Sequence, residues 1–290
     1  MSWGRVKATQ QDPSKNYYSS CWISGVLSLI SFSRTKRIFR IQMTIPIELL
    51  LNEKSHCVVN KPADLFTQAA PGIPNLQNRL EEQLLGQYSG DKSATLPFVG
   101  LPHRLDKGTS GAVLIARNQR ALKRFGLQFQ TRKVHKYYLA VVQGDARNAQ
   151  GRWNDTVRKI PDEAKAEILS DSAPGKEASL DAKCIIATRE LSLLLIQLHT
   201  GRMHQIRIQA ASRGLPVLGD QLYGGKASKF VALHAARIDF FHPTHGRKQN
   251  ATAKVPPSWE SLPQMLQGPL SDMQQALATS ESVEFTAKQI

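Results

Sequence analysis

The chain has 290 residues, 41% hydrophobic and 21% charged, enough to bury a sizeable core in one large domain or two small ones, which excludes the disordered and fibrous classes. Lys and Arg number 38 against 23 Asp and Glu, a net charge of +15. Residues 1–42 hold seven basic side chains and one acidic one, so +9 remains on residues 43–290; a body this basic favours a polyanion such as nucleic acid over a small acidic ligand.

Arg5, Lys7 and Lys15 precede the apolar run CWISGVLSLISF, which gives way to RTKRIFR. The order is that of a signal peptide, but basic residues stand where a small-residue cleavage site belongs. The run is also shorter than the ~20 residues of a membrane span. Residues 1–42 therefore read as a dispensable extension, and the globular pattern opens at Met43. HCVVNKP predicts a short strand stopped at Pro62, because proline cannot donate to a sheet ladder. NLQNRLEEQLL places Leu76, Leu80 and Leu84 on one helical face, and GQYSGDKSATLP is a loop.

PHRLDKGTSG then sets one carboxylate, Asp106, between Arg104 and Lys107. In isolation Asp106 reads equally as a surface charge partner. GAVLIARN is a buried-strand pattern. NQRALKRFGLQFQ puts Leu122, Phe125 and Phe129 on one helical face with basic residues opposite. HKYYLAVVQG predicts a strand ending at Gly144. Residues 145–180 are polar, with few apolar anchors, and read as a surface excursion. AKCIIATRE and LSLLLIQLHT predict two strands about a tight Arg-Glu turn. GRMHQIRIQAASRG predicts a helix from Gly201 to Gly214, and beyond Gln267 the sequence reads as a polar tail that frays. Hairpin-like strands mixed with helix-separated ones argue for an α+β domain with a mixed sheet.

Cys21, Cys57 and Cys184 lie far apart with no C-x-x-C pair, which argues against a disulfide framework and for a reducing cytoplasm. His199 with His204, and His242 with His245, lack a carboxylate or cysteine at ligand spacing, so no metal site is expected.

VNKPADL at 59–65, HRLDKGTSG at 103–111, the strand HKYYLAVV, TGRMHQIRIQAASRGLPVLGDQLYG at 200–224 and LHAARIDFFHP at 233–243 together resemble the RluA-type pseudouridine synthases. The resemblance spans roughly residues 56–245. It implies a largely antiparallel mixed sheet flanked by helices and loops, and an isomerase that detaches a flipped uridine base in RNA, turns it, and rejoins it through C5. Asp106 takes the catalytic position, Tyr138 the place of the tyrosine in K-x-Y, and Arg207 that of the H-Q-I-R arginine that pairs with the aspartate. Arg104 is implied to fill the gap left by the flipped base.

His103, Lys107, Thr109, His204 and Gln205 complete the expected RNA-contacting set. Gly108 and Gly111 are expected to allow close approach of the RNA. Tyr137 or Tyr138 could instead be strand core, and Thr109 and Ser110 could serve the turn rather than a phosphate. Gln209 stands where many members carry histidine. The expected organisation is an extension at 1–42, a catalytic domain at 43–267 and a tail at 268–290. The expected enzyme is a cytoplasmic monomer that needs no cofactor and no membrane, with ribosomal or transfer RNA as partner. An RNA-binding protein without catalysis and a carboxylate-dependent nucleosidase are the rival readings.

Overall fold

The computed structural model describes residues 46–86, 97–170 and 174–280. The expected extension at 1–42 and most of the loop after Gly86 lie outside the described residues. In chain order the elements are β1 (Glu48–Asn52), β2 (His56–Lys61), α1 (Leu76–Gly86), β3 (Ser110–Ala116), α2 (Gln119–Gln130), β4 (His135–Gln143) and β5 (Gly151–Lys159). They continue with β6 (Ala166–Leu169), β7 (Lys176–Ala187), β8 (Leu191–Leu198), α3 (Gln205–Ser212), β9 (Leu233–Phe241), β10 (Lys248–Thr252) and α4 (Gln264–Thr279).

The strands form one sheet in the order β1-β2-β3-β9-β4-β8-β7-β5-β6, with β10 also on β9. Each pairing is antiparallel except β3 with β9, which run parallel through Ser110–His234 and Gly111–Ala235. This is the mixed, largely antiparallel α+β architecture that the pattern and the resemblance predict.

The centre of the sheet is β4, whose side chains alternate between faces as a period of two requires. Tyr138, Ala140 and Val142 join the core that also holds Leu76, Leu80 and Leu84 of α1 and Ile206 and Ala210 of α3. Tyr137, Leu139 and Val141 join the opposite core with Trp259 and Leu266, Leu270 and Leu277 of α4. A third cluster packs Phe125 of α2 over Val58 and Leu114. Each fully buried Leu or Val among these contributes roughly 1.5–3 kcal/mol.

Three expectations need correction. Residues 145–180 are not a surface excursion: they supply β5, β6 and the first part of β7 at the edge of the sheet. These strands bury few side chains, in β5 Trp153 and Val157 alone, so their polar outer faces hide the pattern. The second correction concerns α3, which starts at Gln205 instead of Gly201 because His204 has a left-handed backbone, φ 52°. Third, residues 268–279 are not a frayed tail. They complete α4, whose apolar stripe at 266, 270 and 277 is buried. Arg237, itself 1% exposed, closes the end of that helix by donating to the carbonyls of Leu277 (2.5 Å) and Ser280 (2.6 Å) while bonding Asp239. Among the described residues no helix is long and apolar enough to cross a membrane.

Candidate active site

The loop that carries Asp106 is held at three points. The ammonium of Lys61, at the end of β2, donates to the carbonyls of Pro62 (2.9 Å), Leu65 (2.7 Å) and Lys107 (3.2 Å). Burial pushes its pKa down to about 7, against the pull of Asp106 and Asp64. The buried hydroxyl of Thr67 donates to Leu105 O (2.7 Å) and accepts from Leu105 N–H (3.0 Å). His103 Nε2 accepts from Leu114 N–H (2.9 Å), and its ring stacks on Phe129 with centroids 4.8 Å apart. Burial and then the Lys136 charge push His103 down to about 3, so it stays neutral. Gly111, at φ 113°, lets β3 lie against β9: a Cβ there would come within 2.2 Å of Ala235 O.

The second half of the site comes from the turn before α3. Gln205, 3% exposed, accepts from Thr200 Oγ1 (2.7 Å) and Arg202 N–H (3.0 Å) and donates to Ser179 O (3.1 Å). That knot ties the start of α3 to β7. It presents Arg207, whose Nη1 lies 3.4 Å from Asp106 Oδ2. The stronger partner of Arg207 is Asp220, which accepts from Nε at 2.6 Å and Nη2 at 2.7 Å in the fork geometry that suits a guanidinium. Burial opposes the Arg207 charge, but the bonds to Asp220 outweigh it and leave its pKa raised. Tyr223 lies 5.2 Å from the guanidinium carbon, ring centroid to Cζ. Its hydroxyl accepts from Ala166 N–H (2.8 Å) and shares a hydrogen bond with His204 Nδ1 (3.0 Å). The other ring nitrogen of His204, Nε2, faces Asp106 Oδ2 at 3.8 Å.

Asp106, Tyr138 and Arg207 thus line one cleft of about 1130 Å³. The β4 alternation settles which tyrosine faces it: Tyr138 borders the cleft, and Tyr137 packs toward α4. Burial, then the Asp106 charge, raises the Tyr138 pKa and keeps the phenol protonated. The turn between β5 and β6 brings Asp162 and Glu163 to the same cleft.

The sequence model of the RNA pseudouridylate synthase family matches residues 55–212. This chain belongs to that family. It is 33% identical over 238 residues to a ribosomal large subunit pseudouridine synthase D of Zymomonas mobilis, covering 77% of this chain and 73% of that one. An uncharacterized RNA pseudouridine synthase of Synechocystis sp. is 32% identical over 231 residues, 77% of this chain and 69% of its own. In fold the chain is similar to human RNA Pseudouridylate Synthase Domain Containing 1, with TM-score 0.61 at 22% identity, covering 82% of this chain and 97% of that one. The protein is therefore an RNA-modifying isomerase of RluA type.

Several of the expected RNA-contacting residues of the pseudouridine synthase make bonds within the fold. The acceptor nitrogen of His103 is taken by Leu114, so its ring braces the loop and Phe129. Gln205 has its amide spent on Thr200, Arg202 and Ser179. Lys107 is exposed, but it lies over the Phe66 ring (5.4 Å) and is not among the residues lining the cleft. Ser110 donates to His234 Nδ1 (2.8 Å), whose Nε2 donates to Ala253 O (3.0 Å). Gly108 and Gly111 approach Val231 and Ala235. Thr109, 3% exposed, is a wall of the cleft. Arg104 is exposed where the cleft opens, and His204 is half-buried beside Asp106. Gln209 is buried and donates to Asp155 (2.5 Å) and to the carbonyls of Trp153 and Ala178, clamping α3 to β5 and β7.

Sequence reasoning gave no role to Asp220, Tyr223, Lys61 or Lys136, although all four stand inside the quoted motifs. Lys136 borders the cleft, and burial pushes its pKa from 10.5 down to about 8. A lysine with a depressed folded-state pKa weakens the fold fully below that pKa and progressively less as pH rises to the unfolded value. Replacing Lys136 by Met is therefore expected to stabilise the synthase by up to roughly 3 kcal/mol at pH 7, an upper bound because the group is only half-buried by area. The gain should shrink between pH 8 and 10.5. Chemical denaturation of both proteins across that range checks it: parallel curves would mean that Lys136 titrates normally.

Proposed function

We propose that this synthase converts uridine to pseudouridine in structured ribosomal or transfer RNA, with Asp106 as the carboxylate that acts at C1′ of a flipped uridine. The observation that carries the reading is the placing of Asp106. Its side chain is 25% exposed in the cleft, within 4 Å of Arg207 and His204, while Asp220 already neutralises most of the Arg207 charge. The carboxylate is thus oriented without being locked in a tight ion pair.

As the N1–C1′ bond breaks, positive character develops at C1′, and an anion on that face stabilises it or bonds to it. The uracil stays in the cleft, turns, and bonds C1′ through C5. The C5 hydrogen then leaves to solvent and N1 gains a proton, so no water enters the glycosidic bond. Tyr138 offers a ring on which the base can stack. Arg104, exposed where the cleft opens, can enter the base stack in place of the flipped uridine.

The test uses transcribed ribosomal RNA and tRNA, which begin without modified bases, incubated with the enzyme and mapped for pseudouridine. Conversion at discrete uridines supports the proposal, whereas free uracil would mark a hydrolase and an unchanged RNA a protein that only binds. We further propose action as a cytoplasmic monomer without cofactor, with residues 1–42 dispensable. A chain starting at Met43 should keep full conversion in the same assay, and an insoluble or inactive product would move that boundary.

A further inference from the structure

A second concavity, of about 570 Å³, lies between the end of α2, the turn into β4 and the turn joining β9 to β10. We infer that it takes the sugar-phosphate backbone of the RNA strand flanking the target uridine, and that Arg132 joins it to the catalytic cleft. This rests on the RNA-modifying function proposed above.

The walls are built rigidly. Gln128 clasps Phe241 at both ends of its amide, donating to the carbonyl (2.7 Å) and accepting from the N–H (2.9 Å). Arg124 donates to Pro243 O. Three cations, Arg124, Arg132 and Lys133, line it beside the exposed ring of His135, with His242, Thr244 and Gly246 completing the wall. From Lys107 to Gly144 the sequence holds eight Lys and Arg and no Asp or Glu. Arg120, Arg124, Gln128 and Arg132 recur every four residues, so Arg120 extends the same stripe along exposed α2. A groove of this kind, positive and next to a base-binding cleft, tracks a nucleic-acid backbone.

Arg132 is the decisive residue because it lines both concavities. It also occupies a backbone position that does not suit it. Its φ is 56°, the left-handed residue that follows the end of α2, where Arg132 N–H bonds Phe129 O (3.2 Å) and Lys133 N–H bonds Gln128 O (2.9 Å). Glycine or asparagine is the usual occupant of that place. A cation near a helix C-terminus complements the dipole, but Lys133 does that without strain. The ion pair of Arg132 with Glu177, 3.2 Å between side chains 59% and 60% exposed, is worth too little to explain the choice. A residue kept in a disfavoured conformation with its charge at the junction of two concavities points to a ligand.

The experiment compares wild type, Arg132→Gly, Arg132→Lys and Lys133→Glu, each as the full chain, on transcribed large-subunit ribosomal RNA and a transcribed tRNA pool. Filter binding is measured from low to high salt, beside tritium release from C5-labelled uridine. Arg132→Gly should melt at or above the wild-type temperature yet bind the RNA about tenfold more weakly. Its log-log salt slope should be shallower by roughly 0.7, one single-strand phosphate. Arg132→Lys should restore affinity to within about twofold, since a point charge still meets a phosphate. Lys133→Glu should weaken binding further than Arg132→Gly. Wild-type affinity and slope in both Arg132→Gly and Lys133→Glu, with the wild type itself active, would overturn the second site alone. A wild type that neither binds nor modifies either RNA would overturn the functional reading beneath it.

Discussion

Asp106→Asn is expected to abolish turnover while leaving RNA binding nearly intact. The amide keeps the shape of the carboxylate but removes the anion, so the position beside Arg207 and His204 no longer offers a charge to stabilise or bond C1′. Loss of a group that takes part directly in bond making typically costs ~10⁴-fold or more. Arg104 and the basic surface of α2, to which the proposed function assigns the attraction to RNA, are untouched. The fold should also survive, because Arg207 keeps its two bonds to Asp220 at 2.6 and 2.7 Å when the 3.4 Å contact to Asp106 is weakened. The measurement is tritium release from uridine C5 together with filter binding and a melting curve. Normal release would assign the chemistry to another residue, and a large fall in melting temperature would return Asp106 to a structural role.

Asp220→Asn should be the most damaging change to stability near the site. The Asp220 and Arg207 side chains are only 1% and 12% exposed, and removing one member of a buried ion pair leaves a charge without compensation, at a cost of about 3–5 kcal/mol. For a domain of this size that lowers the melting temperature by roughly 10 °C. Arg207 would then turn to the nearest carboxylate, Asp106, and lock it in a tight pair. Turnover should fall by about 10–100-fold even where the protein is folded, since an ion-paired carboxylate is a weaker partner for C1′. Adding Arg207→Met to Asp220→Asn should recover much of the stability but not the activity, because the stranded charge is gone while the Asp106 orientation is not restored. An unchanged melting temperature in Asp220→Asn would show that Asp106 already suffices as the partner of Arg207.

Much of the fold was legible because buried elements print their period on the sequence. The strands at 56–61, 110–116 and 135–143 and the helices at 76–86 and 119–130 each bury enough apolar side chains to be read locally. The elements that were missed are those whose pattern is completed by something distant. The strands of 151–169 lie at the sheet edge and bury few residues. Helix α4 depends on Trp259 and Tyr137 for its buried face and on Arg237 for its end.

The same division holds in the site. The order and spacing of VNKP, HRLDKGTSG, HKYYLAVV and GRMHQIR determined by themselves the family, the mixed α+β fold and the gathering of Asp106, Tyr138 and Arg207, because the last three motifs carry these residues on a loop, a strand and a helix whose local geometry they encode. Only the tertiary structure decided which polar groups are free to act. His103, Gln205 and Ser110 are consumed by Leu114, Ser179 and His234; Asp220 claims Arg207; and Arg132, ordinary in sequence, stands at the junction of two concavities. A polar side chain is available to substrate only if its hydrogen bonds are not already made within the fold, and those bonds join residues from 11 to 124 positions apart in the chain. No local pattern in the sequence carries that information, because it exists only once the chain has closed on itself.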